Sequence, residues 1–228
     1  APLHFWLPEV LQGASLGTAL IITTWQKLAP LALMYLTHSS LNPSILMAMG
    51  LLSTLVGGWG GLNQTQTRKI MAFSSIAHLG WMSAVMTLSP NLALLNLTLY
   101  LLMTATTFIM LMQTSSKTIT DLTTASTLSP PTPALMMLLL MSLGGLPPLT
   151  GFMPKWLILQ ELATHNFPTT ATIMALSALL SLFFYLRLAY SSTLTAFPST
   201  ANTHHKWRLQ PKTATYPTCI MLTLSTML

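Results

Sequence analysis

Charge is what this chain has least of. Only 5% of its 228 residues are charged, where a soluble domain carries about 25%. The stretches 28–67, 70–116 and 122–154 contain no Asp, Glu, Lys or Arg at all. An ordinary soluble domain is excluded, and a chain with many apolar crossings is implied. Cysteine is nearly absent too: there is one, with no Cys/His metal spacing. That excludes a zinc or iron–sulfur site in this chain. No GxGxxG or Walker pattern offers a nucleotide site. The net charge of +6 does not point to nucleic acid, because the few basic residues are scattered among apolar runs. No initiator Met is present, and both ends fall in apolar sequence. The chain therefore reads as an internal fragment, and its lack of a signal peptide carries no weight.

What is present is apolar length. The composition is 52% hydrophobic. Runs at 15–36, 43–62, 69–88, 92–113, 134–161 and 168–192 each approach the ~20 residues that a bilayer crossing needs. A broken helix is expected over 1–13, around Pro2 and Pro8, and a partial span from about 214. The 134–161 run is interrupted at Gly144-Gly145-Leu146-Pro147-Pro148. If the spans alternate, the loops 63–68, 114–133 and 193–213 share one side. With their flanks they hold Arg68, Lys69, Lys117, Lys206, Arg208 and Lys212, while 37–42, 89–91 and 162–167 hold no Lys or Arg. Such a bias sets orientation, basic side inward. Arg187 is expected to anchor at that same end, Asp121 to be a solvated loop charge, and His204 and His205 to belong to a basic loop.

Lys27 stands near the centre of its span with no carboxylate nearby in sequence. At that depth a lysine costs about 2.5–3.5 kcal/mol on insertion scales, so its default reading is a proton or ion path. Thr23 and Thr24 are expected to turn their hydroxyls toward it. Lys155 follows Pro154 in the interrupted stretch, and unwound backbone at depth survives only against protein or a wet cavity. His78 lies mid-span, with Ser74 and Ser75 one turn earlier to orient it. An imidazole can carry protons near neutral pH. Asn96, Tyr100, Thr104 and Thr107 form a polar stripe that could line a water chain, or simply bond between helices. Glu9 and Glu161 lie near segment ends, and His4 beside the first break. Gly57-Gly58-Trp59-Gly60-Gly61 favours close helix approach. The segments 2–9 and 148–155 share their proline spacing and an aromatic, as two broken helices of inverted repeats would.

Four stretches carry a resemblance: HFWLPEVLQG, TWQKLAP, GGWGGLNQTQTRKIMAFSSIAHLGW and SLGGLPPLTGFMPKW. Together they resemble the antiporter-like membrane-arm subunits of mitochondrial respiratory complex I, the proton-pumping NADH:ubiquinone oxidoreductase. The likeness covers nearly the whole chain. It implies an all-α polytopic transmembrane bundle with inverted five-helix repeats and broken helices. Residues 1–36 would end the first repeat, 43–192 would form the second, and 193–228 would be a matrix loop with a partial C-terminal span. Lys27 matches the family's central lysine, Lys155 that of the second broken helix, and His78 the pathway histidine of SSIAH. A carboxylate and a further lysine of the family's path would lie upstream of Ala1.

The resemblance implies a proton-translocating subunit that uses Lys27, His78 and Lys155, with Thr23, Ser74, Ser75, Tyr100, Thr104 and Glu9 lining the path. Enzyme activity would belong to the complex. NADH, FMN, iron–sulfur clusters and ubiquinone would be held elsewhere in it, and no cofactor or metal in this chain. Partners would be other membrane-arm subunits, the lipid bilayer and protons, in the mitochondrial inner membrane with basic loops facing the matrix. A subunit of a sodium/proton antiporter and a structural subunit without a path are the alternatives.

Overall fold

The structure is a computed structural model. It describes residues 2–128, 131–193, Thr223 and Ser225. Most of the 193–213 loop, with His204, His205, Lys206, Arg208 and Lys212, and the expected span from 214 lie outside the described residues. Among the described residues the chain is helical, with no strand. Its helices are α1 (Trp6–Gly13), α2 (Leu16–Thr24), α3 (Leu28–Leu36), α4 (Pro43–Gly61), α5 (Thr67–Val85), α6 (Pro90–Thr114), α7 (Ile119–Leu128), α8 (Pro131–Gly144), α9 (Phe152–Thr164) and α10 (Pro168–Thr193).

Four stretches are long and apolar enough to cross a membrane: Leu16–Leu36, Pro43–Gly61, Pro90–Thr114 and Pro168–Thr193. Six full crossings were expected, and the differences have physical causes. Helix α5 sits at the centre, packed by α1, α2, α4, α6, α9 and α10. A helix walled by others need not be greasy, and α5 buries Ser74, Ser75 and His78. The 134–161 run is two helices. Helix α8 stops in a Schellman turn, where the Gly145 N–H donates to Ser142 O and Leu146 N–H to Met141 O. Gly145 takes the left-handed conformation (φ +80°) that such a turn requires, and Pro147-Pro148 prevents continuation.

The 16–36 run is one helical stretch that tightens midway, which the sequence reading did not anticipate. Between α2 and α3 lies a tight turn of three residues, Trp25–Lys27. Pro30 explains it: without an N–H it cannot bond the carbonyl of Gln26, and its ring crowds that carbonyl. The 114–133 stretch, expected to be a loop, contains α7. Thr118 and Asp121 form a capping box, the Asp121 carboxylate accepting from Thr118 N–H (2.8 Å) and Thr118 Oγ1 accepting from Asp121 N–H (3.3 Å).

Small residues bring α4 and α5 together. A Cβ on Gly57 would lie 2.6 Å from the Ala77 nitrogen, and one on Gly50 2.9 Å from the Ala84 Cβ. Close backbone approach is how membrane helices gain packing where lipid removes the hydrophobic drive. The Thr67 N–H donates to Lys117 O, and Ile119 N–H to Thr65 O. The 63–68 and 114–118 connections therefore meet at one end, with Arg68, Lys69 and Lys117. Arg187 is half-buried and reaches that same end, where its Nη1 donates to Leu62 O at 2.9 Å, just past the last turn of α4.

Candidate functional site

Two apolar clusters fill the bundle. One gathers Ala19, Ile76, Met103, Leu143 and Tyr185; the other gathers Leu31, Trp81, Leu97 and Ile158. The basic and imidazole groups lie between them. Lys27 falls between Ala19 and Leu31 in sequence, His78 between Ile76 and Trp81, and Lys155 just before Ile158. All three are buried, at 6%, 5% and 8% exposure.

Each is placed by a local device. The tight turn before Pro30 presents Lys27 inward, where its Nζ donates to Tyr100 Oη at 2.6 Å. The same ammonium lies 4.2 Å from the Tyr100 ring centroid, so the π-face adds to its solvation. The His78 ring lies 5.1 Å from that of Tyr100. His78 also meets the Leu143 carbonyl. Lys155 donates to that carbonyl at 3.3 Å and to Gly144 O at 2.8 Å. These are the carbonyls that the end of α8 leaves without helical partners. Gly145 must be small: a Cβ there would sit 2.9 Å from Lys155 Nζ.

The result is a file running Lys27, Tyr100, His78, Leu143 carbonyl, Lys155. Like charges repel, so a proton arriving on one group loosens its neighbours' hold on theirs. A cavity of about 150 Å³ opens beside Lys27, lined among others by His4, Trp6, Gln26 and Pro30. Such a file has the groups to hold a proton and to exchange it between neighbours.

Other sequence candidates are placed differently. Thr23 and Thr24 turn away from Lys27: their hydroxyls donate to Ala19 O and Leu20 O of their own helix. Ser74 and Ser75 donate to Met71 O and Ala72 O rather than orienting the imidazole. A serine or threonine in a helix has a backbone acceptor one turn back, and these use it. Thr104 Oγ1 likewise donates to Tyr100 O at 2.8 Å. Glu9 is exposed on α1. Glu161 pairs with His165 at 3.7 Å near the end of α9. The sequence reading did not join Tyr100 to Lys27, and it missed the Leu143 and Gly144 carbonyls. The spacing Tyr100–Thr104 marked a face, but nothing in it named the lysine opposite. The Gly-Gly-Leu-Pro-Pro break was the available signal for the carbonyls.

The comparisons fit this geometry. The family model for the NADH:quinone oxidoreductase/Mrp antiporter transmembrane region matches residues 1–181, and that for the NADH dehydrogenase subunit 2 C-terminus matches 182–228. NADH-ubiquinone oxidoreductase chain 2 of Xenopus laevis is 59% identical over 99% of this chain and 65% of the relative. That of Salmo salar is 58% identical over 99% and 64%. The chain thus spans about two thirds of the length of these relatives. A chain of respiratory complex I from Thermus thermophilus with bound aureothin superposes with a TM-score of 0.82 at 25% identity, over 99% of this chain and 51% of that one. A chain of the Mrp complex from a Dietzia species gives 0.76 at 17% identity, over 88% and 40%, a likeness of fold alone. With a family model matching most of its length and a buried lysine–histidine file at its centre, the chain belongs to the NADH:quinone oxidoreductase/Mrp antiporter transmembrane family.

Proposed function

We propose that this chain forms part of a proton-translocating subunit in the membrane arm of a mitochondrial NADH:ubiquinone oxidoreductase. The relatives named as chain 2 of that enzyme support the assignment. The observation that carries the mechanism is the file itself: three basic side chains at mid-depth, linked by Tyr100 and two free carbonyls. In this reading Lys27, His78 and Lys155 exchange protons as charge shifts along the arm. Redox chemistry, with NADH, FMN, iron–sulfur clusters and ubiquinone, takes place in other subunits. The chain lies in the inner membrane beside other membrane-arm subunits, with the end bearing Arg68, Lys69 and Lys117 toward the matrix. Residues 1–36 close one antiporter-like repeat, and 43–192 make the second, inverted one. The shared starts of α1 and α9 support that division: Trp6 and Phe152 open the helices, and Pro8 and Pro154 take the same place in each.

The test is pumping per NADH oxidised in membrane vesicles carrying the assembled complex. Lys155→Met should lower it while assembly holds. Lys155→Arg should not restore it, because arginine does not release its proton. Wild-type pumping in both variants would leave Lys155 as a structural charge.

A further inference from the structure

Most buried serine and threonine hydroxyls on these helices donate to a carbonyl three or four residues back, as Thr104 and Ser142 do. Thr150 stands outside a helix, in the 145–151 break between α8 and α9, so no helical carbonyl lies one turn behind it. Its Oγ1 donates instead to Ser225 O at 2.6 Å, across 75 residues of sequence. Both residues are buried, at 6% and 2% exposure. The next residue, Gly151, packs directly on α8: a Cβ there would collide with the Ser142 carbonyl. The break thus has two anchors, the Gly151 contact with α8 and the Thr150 bond to the C-terminal stretch. Between them and α9, Leu149 N–H donates to Leu146 O and Phe152 N–H to Leu149 O, each at 3.1 Å. Lys155 lies in the first turn of α9, while its acceptors, Leu143 O and Gly144 O, end α8. Donor and acceptors are therefore joined through the break, and its placement decides whether they meet. The longer bond, 3.3 Å to Leu143 O, has little slack. A hydrogen bond stretched to about 3.6 Å is no longer one, so a shift of about 0.3 Å breaks it. That carbonyl is the one His78 also meets.

We propose that Thr150 is a positioning residue: its hydroxyl, bonded to the Ser225 carbonyl, ties the break to the C-terminal stretch and so holds Lys155 on the Leu143 carbonyl. This rests on the proton-path reading of Lys155 above. Thr150 itself takes no proton. Valine in its place keeps the shape and removes the donor, which leaves the break with the Gly151 contact.

The experiment uses vesicles with the assembled complex carrying Thr150→Val, Thr150→Ser, Lys155→Met, or Thr150→Val together with Lys155→Met. Pumping per NADH oxidised is read alongside hydrogen exchange of the peptide spanning 145–152. One hydrogen bond shifts a two-state balance about fivefold. Thr150→Val should lower pumping by a factor of up to about five and speed exchange at the Leu149 and Phe152 amides. Thr150→Ser keeps the donor and should restore both. The double variant should pump as Lys155→Met alone does, because a residue acting only through Lys155 adds nothing once the lysine is gone. A further fall in the double variant would replace positioning with general loosening and overturn the proposal. Wild-type pumping in Thr150→Val, with Lys155→Met still impaired, overturns it too and leaves the path reading standing. Wild-type pumping in Lys155→Met ends the path reading and the proposal with it. If Thr150→Val does not assemble, Thr150→Cys, of similar size and a weak donor, decides: partial loss with faster exchange supports the anchor, and wild-type values overturn it.

Discussion

Among the described residues, Lys27 is held by a neutral phenol, Tyr100 Oη at 2.6 Å. A carboxylate would neutralise the charge and fix it. A phenol and its π-face solvate the ammonium and leave the charge in place. The ammonium also borders a cavity, so the proton has somewhere to go. If Lys27 exchanges protons, Lys27→Ala and Lys27→Arg should both lose coupled pumping. Alanine removes the carrier, and arginine holds a proton permanently. A purely structural charge predicts the opposite, with arginine tolerated and only alanine harmful to assembly. Pumping per NADH in both variants, with assembly checked by native electrophoresis, separates the two. An arginine variant that pumps normally would end the exchange role.

At the scale of elements, the site depends on three interruptions. Pro30 tightens the 16–36 run at the lysine, Gly145 ends α8 so that its carbonyls meet Lys155, and Pro147-Pro148 keeps α9 separate. Pro30→Ala should restore the bond from residue 30 to Gln26 O and straighten the run, drawing Lys27 away from Tyr100. Relieving an interior proline removes a cost of about 3 kcal/mol, so assembly should survive while pumping falls between wild type and Lys27→Ala. Unchanged pumping would show that the tight turn is not what aims the lysine.

Helix α7 offers a pH test outside the membrane. The N–H groups of Thr118 and Lys117 hold the Asp121 carboxyl below its ordinary value. Its folded-state affinity for protons is thus weaker than in the unfolded chain. The cap is fully present above the ordinary carboxylate value, near pH 4, and is lost as pH falls through the lower folded value. Hydrogen exchange at the start of α7 should show this protection, and Asp121→Ala should abolish both the protection and its pH dependence. Equal protection in the two proteins would remove the cap from the account.

Across the whole molecule, two apolar clusters enclose a thin polar layer, and the outer faces are apolar as well. Trp25, Leu33 and Leu36 are exposed on one flank, and Leu176, Leu179 and Phe183 on another. Among the described residues, Lys27 and Lys155 are buried between the helices. Arg68, Lys69 and Lys117 gather at one end, tied by the hydrogen bonds between the 63–68 and 114–118 connections. In the proposed orientation, single cysteines at 68, 69, 206 and 208 react with an impermeant thiol reagent only from the matrix side. Labelling from the opposite side would reverse the topology.

The amino-acid sequence by itself determined the solvent and the burial. So little charge over such apolar lengths leaves only a membrane bundle. Single basic residues inside those lengths announce themselves by their cost, which is how Lys27, His78 and Lys155 were legible. Gly and Pro punctuation located the break before α9, because backbone chemistry is local. Tertiary structure decided who meets whom. Lys27 and Tyr100 are 73 residues apart, and no spacing encodes a contact between α6 and a kinked α2–α3. The threonines and serines looked like partners in sequence, but a nearer acceptor on their own helix took their hydrogens. The central place of α5, and with it the burial of His78, came from neighbours on every side, which hydropathy along one chain cannot register.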